Sequence, residues 1–400
     1  MVVSLRRHCC ASIDLTFSVV LLVFLLGLGP LALSRAFGEQ GMNRGQASFK
    51  DAGGSGEPSA SIPKVPGWWE IPDTRLASVC PDIPELHAVE GCSAILADWA
   101  GGLADTKRNR LLLWGGGHNG YFGNEWYALD LNKLTMQRLT EPSTGSGIAN
   151  LRDCPEAYSD GKPNARHTYN GLQYLPKQDL YFLLGGGLSP CGYFSNVIWT
   201  FDPVSMTWTR RNPQIHPTPA QNGSLPMTAV DSTTGTVYEV EVNVGLFWQY
   251  DAVADNWKNL GEVSACARLN MTASIDPSRR LYYCIGNNSF SKISLTGSHA
   301  AKTLRGTGCD DLIAASAPGF DFDGSQNRMV GWAGGNAVYI YDADTDSCAA
   351  KVFTGGPGQE QQAGTYGRFR FFPAPGVFAL VNDWKENAFV LRLSQPDAGH

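Results

Sequence analysis

The chain has 400 residues, 43% hydrophobic and 11% aromatic, with 45 glycines and a formal net charge of −6. That is enough apolar material for one large all-β domain or two ordinary domains, and the glycine content suits many strands joined by tight turns. The negative charge and the lack of a basic run exclude nucleic acid as an expected partner.

Residues 1–36 have the order of a targeting segment. Arg6 and Arg7 make a positive start, Leu15 to Leu33 is almost wholly apolar, and Ser34-Arg35-Ala36 offers small residues for cleavage after Ala36. An uncleaved anchor is the alternative, because the apolar run approaches bilayer-spanning length. The membrane would then be met only through this segment. Either way the remainder is expected outside the cytosol, in a periplasm or the extracellular space. Residues 37–63 are rich in Gly, Ser and Pro and are expected to form a tether to the domain at residues 64–400.

The next segment repeats itself. Leu111-Leu-Leu-Trp-Gly-Gly-Gly117 is followed by Asn124-Glu-Trp-Tyr-Ala-Leu-Asp130, and seventy residues on Tyr181-Phe-Leu-Leu-Gly-Gly-Gly187 is followed by Asn196-Val-Ile-Trp-Thr-Phe-Asp202. Each unit reads as apolar strand, glycine turn, second strand ending in Asp, then a short strand. A repeat of this length made of four short strands predicts a propeller blade. Blade one is expected from Ala94 to Thr140, and blade two from His167 to about Arg210. Blade three opens at Met227, blade four at Met271, and blade five holds Arg328 to Trp332 and Ala337 to Asp342. Blade six has three strands before the chain stops, and Trp68-Trp-Glu-Ile-Pro72 is a candidate fourth. Six blades are expected, with seven as the alternative, and such a ring leaves no exposed sheet edge. The chain is expected to be monomeric. The Asp residues closing third strands (Asp130, Asp202, Asp251, Asp342) are expected to form turns.

Of the ten cysteines, removing Cys9 and Cys10 leaves eight, an even number that argues for disulfides in an exported chain. Neighbours in sequence pair sensibly as 80–92, 154–191, 266–284 and 309–348, although other connectivities are open. No zinc-type spacing occurs, and no metal or other cofactor is expected.

The Gly-Gly-Gly turns with downstream Tyr or Trp and Asp resemble kelch repeats over nearly all of residues 68–394. Residues 110–130 and 366–393 are similar to exported bacterial kelch-type proteins of the galactose-oxidase-like group. The resemblance implies a propeller and, by itself, no activity.

In such a blade the loop between strands two and three lies on the same face as the link into the next blade. This topology gathers His118, Asn119 and Tyr121 with Arg166, His167 and Tyr169, with Arg268 and Asn270, and with Tyr366 and Arg368. The loop Pro190 to Tyr193 joins them. Convergent polar groups at the mouth of an apolar scaffold make a candidate site. In one assignment Arg166 and Arg368 clamp a uronate carboxylate, His118 and His167 neutralise charge and transfer protons, and Tyr169 is an alternative base. Asn119, Tyr121, Arg268, Asn270 and Tyr366 would hold the substrate. The set is similar in constellation to propeller polysaccharide lyases, the ulvan lyases among them, which use two His, a Tyr and an Arg on seven blades. The competing assignment makes the arginines ties between blades, the tyrosines packing residues and His118 a turn cap. Paired-carboxylate hydrolysis is disfavoured by the few acids on the face. Copper-radical oxidation is disfavoured because Cys191 and Cys266 read as disulfide partners. The expected functions are therefore β-elimination on an acidic polysaccharide or non-catalytic binding of a glycan or protein partner. A glycan attached at Asn270, one of three Asn-x-Ser/Thr sites with Asn222 and Asn287, would argue against a site there.

Overall fold

The computed structural model describes residues 61–212, 225–242 and 244–395. The expected targeting segment and nearly all of the expected tether lie outside them, as do His8, His216, His400 and Asn222.

Six four-stranded antiparallel sheets form a propeller ring. Their inner strands are Gly102–Asp105, Leu172–Leu175, Pro226–Asp231, Thr272–Asp276, Gly319–Asp323 and Phe369–Phe372. The sixth sheet has Gly67–Ile71 as its outer strand, with Trp68 opposite Leu391 and Trp69 opposite Val390. Seven blades are excluded. Blade one starts later than expected: Ala94–Ala97 is a single helical turn, and the inner strand begins at Gly102. Residues 167 to 171, expected within the first strand of blade two, belong to the link before it.

Each sheet alternates side chains between its two faces, and each face packs on a neighbouring blade. The apolar interior accordingly divides into six clusters, one at each blade interface. Trp114, Trp126, Tyr181, Phe201 and Trp208 fill the gap between blades one and two, with the Trp126 and Trp208 rings stacked 5.5 Å apart.

The third-strand aspartates form the expected turns. Asp130 Oδ1 accepts the Asn132 and Lys133 amides at 3.0 and 3.1 Å, and Asp202 accepts those of Val204 and Ser205. A second set, Asp105, Asp231, Asp276 and Asp323, does the same after inner strands. All four expected disulfides are present, 80–92, 154–191, 266–284 and 309–348. Four disulfides mark a chain that folds in an oxidising environment. Among the described residues no helix is long and apolar enough to cross a membrane.

Candidate functional site at the channel mouth

The links into the blades converge around one end of the central channel. Five residues there, each two or three positions before an inner strand, have left-handed backbone: Trp99 (φ 45°), Tyr169 (φ 46°), Asn270 (φ 55°), Ala317 (φ 45°) and Tyr366 (φ 48°). For residues with a Cβ this conformation costs roughly 1–3 kcal/mol each and persists only where the surroundings hold it. What holds it is a belt of backbone hydrogen bonds between blades. The Tyr169 N–H donates to Trp99 O at 2.7 Å, Ala317 N–H to Asn270 O at 2.8 Å, and Tyr366 N–H to Ala317 O at 3.0 Å. The belt places one side chain from each of these blades at the mouth.

His118 and His167 meet at this rim. His118 Nδ1 and His167 Nε2 share a hydrogen bond, and the ring centroids are 4.6 Å apart. His167 also lies 5.2 Å from the Trp99 ring and stacks on Tyr169 at 5.6 Å, and Tyr169 meets Tyr366 edge-on at 6.0 Å. The Tyr366 hydroxyl donates to Asn270 Oδ1 at 3.3 Å. His118–His167–Tyr169–Tyr366–Asn270 is thus one continuous row drawn from four blades.

The glycine turns build this row. A Cβ on Gly186 would lie 2.0 Å from the His167 carbonyl oxygen, and Gly186 has φ +94°. Only glycine lets the blade-two turn support the His167 backbone so closely. In blade one, a Cβ on Gly117 or Gly120 would strike the Asp98 carboxylate at 2.2 Å. Asp98 therefore sits directly under the loop that carries His118 and Asn119.

The electrostatics follow from burial. His167 is 3% exposed, and burial, then the adjacent His118, lowers its pKa to about 4. It is neutral at pH 7, so one of its nitrogens is free of a proton. Burial, then Glu90, raises Asp98 to about 6. Tyr169 and Tyr366 are pushed upward, chiefly by burial, and both are protonated at neutral pH.

Arg166 and Arg368 depart from the clamp assignment. Each is fully buried. Arg166 donates to Glu156 Oε1 at 3.0 Å and to the carbonyls of Asn164, Glu156 and Gly185. Arg368 donates to the carbonyls of Ala100, Val381, Asn382 and Gly364, tying blade six to the entry of blade one. Every guanidinium nitrogen is committed to the protein, so neither can grip a ligand carboxylate; the blade-tie alternative describes them. Tyr121 is also buried, donating at 2.7 Å to Glu125, and is not a substrate contact. Glu125 is itself buried between Tyr121 and Tyr127, and burial raises its pKa. Asn119 and Arg268 are exposed on the mouth face. Tyr169, Arg268, Asn270 and Tyr366 line a recess of 20 Å³, room for about one water.

Trp99 and Asp98 are members of this site that sequence reasoning missed. Trp99 is 37% exposed beside His167. The usable signal was positional: Trp99, Tyr169 and Tyr366 are aromatics at the same distance before an inner strand. Among the described residues no group of three or more His, Cys, Asp or Glu is placed to hold a metal ion.

No protein-family model matches the chain, and no curated protein matches it. Solved structures do. A Bacteroides thetaiotaomicron protein of unknown function is 13% identical over 82% of this chain and 76% of its own, with a TM-score of 0.51. A copper-bound fungal alcohol oxidase of the AA5 family is 12% identical over 74% of this chain and 62% of its own, with a TM-score of 0.42. YjhT is 10% identical over 76% of this chain and 95% of its own, with a TM-score of 0.48. At these identities the likeness is one of fold.

Proposed function

We propose that the chain is an exported glycan-binding propeller whose recognition surface is the channel mouth. The observation that carries this reading is the row of rings held there by strained backbone. Trp99, Tyr169 and His118, backed by the buried His167, offer flat faces on which the C–H face of a sugar stacks, and Asn119, Arg268 and Asn270 beside them are hydrogen-bonding groups. Strained, polar-rimmed clusters of this kind concentrate at ligand sites. The exposed Arg268 favours an acidic glycan, because it is the mouth arginine with its guanidinium in solvent. The four disulfides support the exported setting.

A second reading is favoured by one feature, the direct contact of His118 with a neutral His167. Such a pair can remove a proton alpha to a uronate carboxylate and return one to the leaving oxygen. This β-elimination would have only Arg268 to stabilise the developing charge.

The test is a panel of neutral and acidic oligosaccharides titrated into the purified chain by calorimetry. Wild type binds at least one acidic glycan, and Trp99→Ala and Arg268→Ala each weaken it about tenfold, the worth of one good contact. Equal affinity in all three proteins would sink the mouth as the binding surface. Ultraviolet absorbance of an unsaturated uronate product, lost in His167→Ala, would promote the second reading over the first.

A further inference from the structure

One aromatic ring beside the mouth has no place in the row described above. Tyr193 follows Gly192, where a Cβ would lie 3.3 Å from the His118 ring. Tyr193 is 68% exposed, more than Trp99. Among the described residues its side chain makes no hydrogen bond and no ring contact. A single apolar side chain in solvent is ordinary. This one stands on backbone that is held on every side.

The Gly192 N–H donates to Leu188 O at 2.7 Å, and the Leu188 N–H to Tyr193 O at 2.8 Å. Ser189 N–H donates to Ala165 O at 2.9 Å, and Ser189 Oγ to Gly117 O at 2.6 Å. Asn164 Nδ2 donates to Ser189 O at 2.6 Å, and Cys191 is bonded to Cys154. The turn is therefore tied to the residue before His118 and to the approach to blade two. A ring on such a support gives up little freedom when a ligand stacks on it.

Position in the ring separates Tyr193 from Trp99. Trp99 belongs to a link that leads into an inner strand, at the channel axis. Tyr193 lies between the second and third strands of its sheet, farther from the axis. Contacts run outward from Trp99 to His167, to His118 and on to Gly192. The two aromatic platforms thus lie inside and outside the exposed His118, and one sugar ring does not cover both.

Resting on the reading of the mouth as a glycan surface, we propose that Tyr193 is an outer stacking platform and that the ligand is an extended polysaccharide, held over several consecutive rings and not by a terminal sugar. The inner group of Trp99, Tyr169 and Arg268 takes one end of the bound stretch, and Tyr193 takes rings farther along.

The experiment is calorimetry on the purified chain with di-, tetra- and hexasaccharides of galacturonate, glucuronate and mannuronate. Wild type is compared with Tyr193→Ala and Tyr193→Phe. For the uronate that binds, affinity should rise from di- to hexasaccharide by at least about tenfold beyond what the extra binding registers supply. Tyr193→Ala should lose that gain and keep the disaccharide affinity within about twofold, and Tyr193→Phe should retain both. Disaccharide binding with no further gain from length would overturn the outer platform and leave the mouth reading standing. Equal weakening of short and long ligands by Tyr193→Ala would also overturn it, because the residue would then only support His118. Absence of binding at every length would overturn both.

Discussion

His167 and Asp98 are neighbours of the same loop, and their proton equilibria oppose each other. His167 titrates at about 4 in the folded chain against an ordinary value of 6.5. The folded state then binds fewer protons than the unfolded state across that window, and stability rises with pH between them. Asp98 titrates at about 6 against 3.8, so the folded state holds more protons and stability falls as pH rises from 3.8 to about 6. Asp98→Asn removes the falling slope. The unfolding free energy of the variant minus that of wild type should rise with pH up to about 6 and be flat above it, read from urea denaturation at a series of pH values. A flat difference throughout would mean that Asp98 ionises freely. Arg368 gives a second prediction at this scale. Arg368→Met strands the carbonyls of Ala100, Gly364, Val381 and Asn382. It should cost about 3–5 kcal/mol in denaturant unfolding. No loss would show that water replaces the guanidinium.

At the scale of the element, the glycine turns and the disulfides carry the site. Gly186→Ala puts a methyl group 2.0 Å from the His167 carbonyl at a φ of +94°. The blade-two turn must move, so stability should fall by at least about 2 kcal/mol and the glycan affinity of the mouth should fall with it. Cys154–Cys191 holds the loop in which a Cβ on Gly192 would lie 3.3 Å from the His118 ring, whereas Cys309–Cys348 joins the approach to blade five to its outer strand. Removing either bridge should cost about 2–4 kcal/mol. Only the Cys154→Ala, Cys191→Ala pair should also weaken binding at the mouth, a contrast that calorimetry on both double variants resolves.

Seen as a whole molecule, the ring was legible because it is repetitive. Apolar strand, glycine turn and terminal Asp recur clearly in the first two blades, and each recurrence has a structural cause, such as the Asp130 and Asp202 turns. The meeting of His118 and His167 was legible too, because blade topology alone sends their loops to one face. The arginines were not. Sequence places Arg166, Arg268 and Arg368 in similar links, but it cannot say where a guanidinium points, and two of the three turn inward to carbonyls supplied by other loops. Trp99 and Asp98 were missed because blade one was expected to begin at Ala94, although that stretch holds a helical turn followed by a left-handed residue.

The most direct test of the account is hydrogen–deuterium exchange of the purified chain with and without the acidic oligosaccharide that binds best. Protection should concentrate in segments 98–101, 117–121 and 166–170, which meet only at the mouth. Protection confined to other segments, or none with any glycan of the panel, would contradict the mouth as the functional surface of this propeller.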